Sequence, residues 1–180
     1  MLFSPFPQLH TSRILLRDIT TADQSVVYKG LSDPQVNQYY GVSYASYEAT
    51  AAQMDFYKQL LQDETGIWWA ICWQDAPQHM LGACGFNYWQ KQHQKIEIGY
   101  WLLPPYQGMG IMTEALPAII NYAFKLPGIH RIEAVVEEGN TSSNSLLQKL
   151  HFVYEGTLRQ SEIKNGAYIN LQYWALLQPA

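Results

Sequence analysis

Four residues, Gln107-Gly108-Met109-Gly110, stand between an apolar run and a helix-forming run in "YQGMGIMTEAL" (106–116). Two glycines in four positions exceed what a simple reversal needs. A strand, a glycine-rich turn and a helix start leave backbone N–H groups without partners. They point outward at the positive end of the helix dipole, which suits a phosphate. Glycine lets such amides approach anionic oxygens with no Cβ between them, and Thr113 adds a hydroxyl in the first helical turn. An ordinary tight strand–helix turn accounts for the same residues equally well. Two phosphate-binding patterns are excluded. No Gly-Lys-Ser/Thr follows, as a Walker loop requires, and the mid-chain stretch lacks the spacing and later acidic residue of a dinucleotide fingerprint.

The elements that would hold this turn can be read from periodicity. Strands are expected at 13–19, 66–73, 80–89, 95–103, 130–138, 151–158 and 167–177, and helices at 21–31, 46–62 behind Ser46, from the glycine stretch to about 126, and 141–150 behind Asn140. Pro104-Pro105 ends the fourth strand. Hairpins give antiparallel joins, and the helix between the fourth and fifth strands makes that pair parallel. The expectation is an α/β (α+β) fold: a mixed, mostly antiparallel sheet of six to seven strands, helices on both faces, one domain over residues 1–180. Alternation puts Glu97, Gly99 and Trp101 on one face of the fourth strand.

Composition narrows the partners. The chain has 180 residues, 48% hydrophobic and 14% charged, enough for a globular core. Its net charge of −4 and scattered Lys and Arg argue against nucleic acid, and no apolar run approaches the roughly 20 residues of a membrane span. Cys72 and Cys84 lack metal-ligand spacing and read as buried thiols of a reducing compartment. With no secretory leader pattern, a cytoplasmic protein is expected. None of the five histidines forms a metal set, and no metal is expected.

"EIGYWLLPPYQGMGIMTEAL" (97–116) resembles the acetyl-coenzyme-A signature of the GNAT N-acetyltransferases, Gln/Arg-x-x-Gly-x-Gly/Ala. Met112 at its end, in "GIM", is similar to the branch that acetylates the N-termini of ribosomal proteins. "LHTSRILLRDITTAD" (9–23), "EEGNTSSNSLLQKLHFVYEG" (137–156) and "QSEIKNGAYIN" (160–170) resemble further segments of that branch, in order along almost the whole chain. The resemblance implies acetyl-coenzyme A held by Gln107, Gly108, Met109, Gly110, Ile111, Met112 and Thr113. It also implies a fourth strand that splays from the fifth, with Trp101 and Leu102 facing pantetheine and acetyl group, and Asn140 bonding the cofactor.

The reaction so implied is attack of an amine on a thioester. A free α-amine titrates near ~8, so about a fifth is already neutral at pH ~7.4, against about one in a thousand for a lysine near ~10.4. An α-amine therefore needs only a modest base. The resemblance offers Glu162 for that role, and Glu97, on the strand face named above, is the alternative. For each, a solvated surface carboxylate remains the other reading. A tyrosine common in the family seven residues after Asn140 is replaced by Leu147. Ser143 matches the serine that stands near the sulfur in the ribosomal branch and can donate one hydrogen bond to a thiolate; helix capping is its other reading, as it is for Asn140.

Three departures from the resemblance stand out. The branch's Tyr-His-Asp reads Tyr168-Ile169-Asn170 here, which puts an identical peptide substrate in doubt. Pro117 should kink the cofactor helix by removing its bond to Thr113, and His151 stands where many relatives have glycine. The acceptor implied first is the N-terminal α-amine of a protein, a ribosomal protein above all. A small amine (polyamine, amino sugar, antibiotic) and a non-catalytic acetyl-coenzyme-A-binding module are the alternatives. Monomer and homodimer both stay open. The tyrosine-rich segment 37–47 is expected to shape the acceptor entrance.

Overall fold

The structure, a computed structural model, describes residues 2–179. Its strands are β1 (Leu9–His10), β2 (Ile14–Arg17), β3 (Ile67–Trp73), β4 (Ala76–Gln90), β5 (Lys95–Leu102), β6 (Arg131–Glu137), β7 (Val153–Lys164) and β8 (Ala167–Leu177). They form one sheet in the order β1-β2-β3-β4-β5-β6-β8-β7. The count is eight, not six to seven. The extra strand is the two-residue β1, paired with β2 through Leu9↔Leu16 and His10↔Leu15. Two residues carry no alternation that a sequence reading could detect.

Every neighbouring pair is antiparallel except β5–β6, which run parallel and register only at Lys95↔Arg131, Ile96↔Ile132 and Glu97↔Glu133. Beyond that point β5 stays on β4 as far as Gly82↔Leu102, and β6 stays on β8 as far as Glu137↔Leu171. The sheet thus divides between its fifth and sixth strands, which is the expected splay.

Helices α1 (Gln24–Leu31), α2 (Pro34–Asn37), α3 (Ala51–Gln62), α4 (Ile111–Lys125) and α5 (Thr141–Lys149) complete the order. Ile111, Leu116 and Ile119 of α4 and Leu147 of α5 pack with Ile14, Trp69, Phe86 and Ile132 on one face of the sheet. Val27 and Leu31 of α1 and Tyr57 and Leu60 of α3 pack with Trp68, Ala70 and Trp101 on the other. Because both faces are covered, β3 reads as a continuous apolar run and not an alternating one. Each fully buried side chain of this kind contributes about 1.5–3 kcal/mol. Gly85 and Gly99 make room for one of them: a Cβ on either would come within 2.6 or 2.8 Å of the Trp68 ring.

Several boundaries differ from the expectation; β4, for one, begins at Ala76 and not at residue 80. The second long helix begins at Ala51, not at residue 46. Ser46 Oγ does accept from Ala49 N at 3.2 Å, but the Thr50 N–H reaches back to Ser46 O through turns that precede the helix. β7 starts at Val153 and runs to Lys164. His151 instead closes α5 with φ +65°, and a bulge between Leu158 and Glu162 carries the strand on past residue 158. α4 is helical from Ile111 to Lys125 with Pro117 inside it. Cys72 and Cys84 are buried free thiols, as expected. Among the described residues no helix is long and apolar enough to cross a membrane.

Candidate active site

The glycine turn opens on the gap left by the splay. Gly108 and Gly110 take φ +75° and +74°, the left-handed region glycine enters without strain. A Cβ on Gly108 would have no atom within 4 Å, because its open side is the cleft itself. The intrahelical bonding of α4 begins only with Glu114 N donating to Gly110 O at 3.1 Å. The amides of Ile111, Met112 and Thr113 are therefore left for a ligand. The Ile111 and Met112 side chains are in the core, so these residues offer backbone only, while Thr113 is exposed. Met109 is exposed and does not line the cleft; its carbonyl accepts from Arg13 Nη2 at 3.3 Å.

One carboxylate fixes this turn. Glu114 accepts from the Thr11 hydroxyl, the Ser12 hydroxyl, the Arg13 amide and Arg13 Nε, at 2.5, 3.0, 2.7 and 2.7 Å. Partial burial works against its charge, but these bonds prevail and lower its carboxyl to about 2. The start of α4 is so tied to the β1–β2 turn, with the only acid of the first helical turn directed away from the cleft.

This cleft has a volume of about 620 Å³ and runs from Gln107, Gly108 and Gly110 along α5 to Ser143. Gln107 donates to Leu102 O at 3.0 Å and accepts from Gln35 Nε2 at 3.1 Å. Leu103 N–H bonds Leu81 O on the β4 side, so alternation turns the N–H and C=O of Tyr100 and Leu102 toward the gap. Trp101 lines the cleft, but its ring is only 3% exposed; it presses on Gly30 and donates to Tyr57 Oη at 3.3 Å. Its ring thus fills core, and its neighbours carry the backbone groups that face the gap, the Leu102 carbonyl already accepting from Gln107. Asn140 caps α5, its Oδ1 accepting from Ser143 N at 3.1 Å.

A second cleft of about 590 Å³ meets the first at Tyr39, Tyr40, Tyr100, Asn140 and Ser143. Both candidate carboxylates, Glu97 and Glu162, line it. Glu97 is half-buried, while Glu162 is exposed, and neither side chain has a hydrogen-bond partner among the described residues. Burial raises the Glu97 carboxyl above its usual range. The charges of Glu133 and Glu162 add to that rise, and Lys95 opposes it. Tyr39, Tyr40 and Tyr44 of the tyrosine-rich segment line this second cleft. Lys164 closes its rim, donating to Gln38 O and to Glu137 Oε2, both at 2.6 Å.

At the junction, Ser143 Oγ and Tyr100 Oη are 2.5 Å apart. Ser143 is 8% exposed. Burial pushes the Tyr100 phenol up to about 12, against the bond to Ser143, so it keeps its proton at neutral pH. Sequence reasoning missed Tyr100, although it sits in the quoted run beside Trp101; its signal was its alternation to the opposite face. Arg13, Glu114 and Lys164 gave no signal, since their partners lie far away in the chain. Asn170 proves to be structural: its Oδ1 accepts from Gln160 N at 2.7 Å and so holds the bulge that carries Glu162.

The open amide cradle and the unpaired strand edge fit a long ligand with a pyrophosphate at one end. Among the described residues no group of three His, Cys, Asp or Glu is arranged to hold a metal. Comparison with known proteins agrees with the geometry. The sequence profile described as "Acetyltransferase (GNAT) domain" matches residues 13–153. The chain is 33% identical over 175 residues to an uncharacterized N-acetyltransferase of Bacillus subtilis, YoaA, covering 97% of this chain and 98% of that protein. It is 32% identical over 96 residues to the ribosomal-protein-serine acetyltransferase of Escherichia coli, about half of each chain (53% and 54%). A solved structure of RimL, a ribosomal-protein α-N-acetyltransferase in complex with coenzyme A, superposes with TM-score 0.84 at 23% identity, covering 95% of this chain and 98% of that one. The chain belongs to the GNAT acetyltransferases and is an acetyl-coenzyme-A-dependent N-acetyltransferase.

Proposed function

We propose that the acceptor is the N-terminal α-amine of a protein, with a ribosomal protein the first candidate, and that the whole chain acts as one catalytic domain. The observation that carries this reading is the pair of clefts meeting at Ser143. One presents amides and an unpaired strand edge, and the other presents two carboxylates without partners. Acetyl-coenzyme A supplies the activated acyl group. The amides at 108–113 hold its pyrophosphate, and the β5 edge at Tyr100 and Leu102 orients the arm that follows. Glu97 takes the proton of the attacking amine. Its raised carboxyl is better matched to an α-amine than an ordinary surface glutamate. Glu162 adds negative charge that attracts an ammonium and lifts Glu97 further. Ser143 donates toward the departing sulfur while Tyr100, still protonated, holds the Ser143 hydroxyl in place.

Release of coenzyme A, measured over a panel of peptides with free N-termini and small amines, tests the acceptor class; turnover of small amines alone would reject the α-amine of a protein. On the best acceptor, Glu97→Gln should lower kcat about 10²–10⁴-fold, with part of the loss recovered at high pH as the amine sheds its own proton. Glu162→Gln removes a neighbouring negative charge, so the Glu97 pKa falls and the acid limb of the pH profile moves to lower pH. If Glu162→Gln abolishes kcat while Glu97→Gln leaves it intact, the base sits on β7 and not on β5.

A further inference from the structure

Asn87 lies directly opposite Glu97 in the β4–β5 register, on the same face and on the wall of the acceptor cleft. Side chains so paired stand about 4.5–5.5 Å apart at Cβ, close enough for one small group to touch both. Asn87 is 8% exposed, yet its amide makes no side-chain hydrogen bond among the described residues. Its amide atoms are not themselves cut off from solvent; they reach the cleft and are free to bond whatever enters it. Trp68, which lies over Gly99 in the next row and lines the same cleft, likewise leaves its Nε1–H without a partner. The wall thus sets the Asn87 amide, free of internal partners, beside two carboxylates lacking donors.

We propose that Asn87 is a specificity-determining residue, and that it recognises an oxygen carried by the acceptor a few bonds from its amine. Glu97 and Glu162 receive the ammonium, and the Asn87 amide donates to the neighbouring carbonyl or hydroxyl oxygen. An amino acid amide or the first residue of a peptide has such an oxygen. A polyamine or simple alkylamine offers only nitrogen donors when protonated, and leaves the Asn87 N–H unsatisfied. The inference rests on the amine-acetylating reading given above, and narrows its substrate class.

Three probes separate the two claims: the peptide amide Ser-Ala-Ala-NH2, n-butylamine and spermidine, each assayed for turnover and, with the coenzyme-A-bound protein, for binding by calorimetry. The peptide should exceed both oxygen-free amines by about tenfold or more in affinity; its lower amine pKa raises its kcat/KM independently of Asn87, so turnover is read as the change in that ratio between wild type and variant. Asn87→Ala should erase that preference through KM, with kcat at saturation little changed and Tm unchanged or raised, since no internal bond is lost. Asn87→Asp distinguishes donor from acceptor. It keeps an oxygen for an ammonium but has no N–H, so it should lose the preference as Asn87→Ala does. Equal or better binding of butylamine or spermidine to the wild type overturns the proposal, and so does a preference that survives Asn87→Ala or is improved by Asn87→Asp. A preference in binding without turnover of any probe would instead reject the acetyl-transfer roles proposed above and leave the recognition by Asn87 standing.

Discussion

His151 ends α5 in the left-handed region at φ +65°, where a side chain costs about 1–2 kcal/mol that glycine avoids. The residue is exposed and brings no packing in return. Glycine loosens the unfolded chain by about 0.4–1 kcal/mol, so His151→Gly should still gain a little stability. Thermal melting should show Tm raised by about 1–4 °C, and a lowered Tm would mean that the imidazole holds something in place. This position was visible in the sequence as a departure from the resemblance, but its backbone angle was not. Ser143, Glu97 and Glu162 were legible as candidates in the same sense. Their types and their place in the motifs pointed to chemistry, while the bond from Ser143 to Tyr100 needed the fold. Asn87 could not have been found. A lone asparagine in an apolar strand has no pattern, and its meaning comes from the residue opposite.

At the scale of elements, the glycine turn depends on a carboxylate that never faces the ligand. Glu114 joins the start of α4 to residues 11–13, about a hundred positions earlier in the chain. Its folded carboxyl is lowered to about 2 from an ordinary 4.5, so the stability it contributes is fully present above about pH 4.5 and is lost as pH falls toward 2. Glu114→Gln should therefore lower Tm by about 2–6 °C near pH ~6, and the two proteins should converge as the medium approaches pH ~2. A constant difference across that range would locate the effect in packing. Most long elements were readable from apolar periodicity, including the parallel crossover through α4. What escaped was short or irregular: β1, α2 and the bulge in β7. A two-residue strand, a four-residue turn and a bulge held by Asn170 are set by partners that periodicity does not encode.

For the molecule as a whole, the aromatic content belongs to more than one role. Trp68, Trp69 and Trp101 fill the two cores, while Tyr39, Tyr40 and Tyr44 line the second cleft, the last two also packing against a core. Composition alone could not divide them, because burial depends on which face a strand turns to which helix. The splay between β5 and β6 has a consequence for motion. Three residue pairs are the only register between a five-stranded half, β1 to β5, and a three-stranded half, β6 to β8. Two halves that share so short a hydrogen-bonded seam, joined otherwise by the side-chain core under α4 and α5, can open along the splay, and the amides of Tyr100 and Leu102 face that opening. Hydrogen–deuterium exchange should find them fast in the free protein. When acetyl-coenzyme A is added they should slow markedly, together with amides on the facing side of β6, while the β3–β4 amides stay unchanged. Uniform slowing throughout the sheet would show that the halves already move as one. The selective pattern would mean that the co-substrate acts as a temporary rivet, stiffening the enzyme only while it is bound.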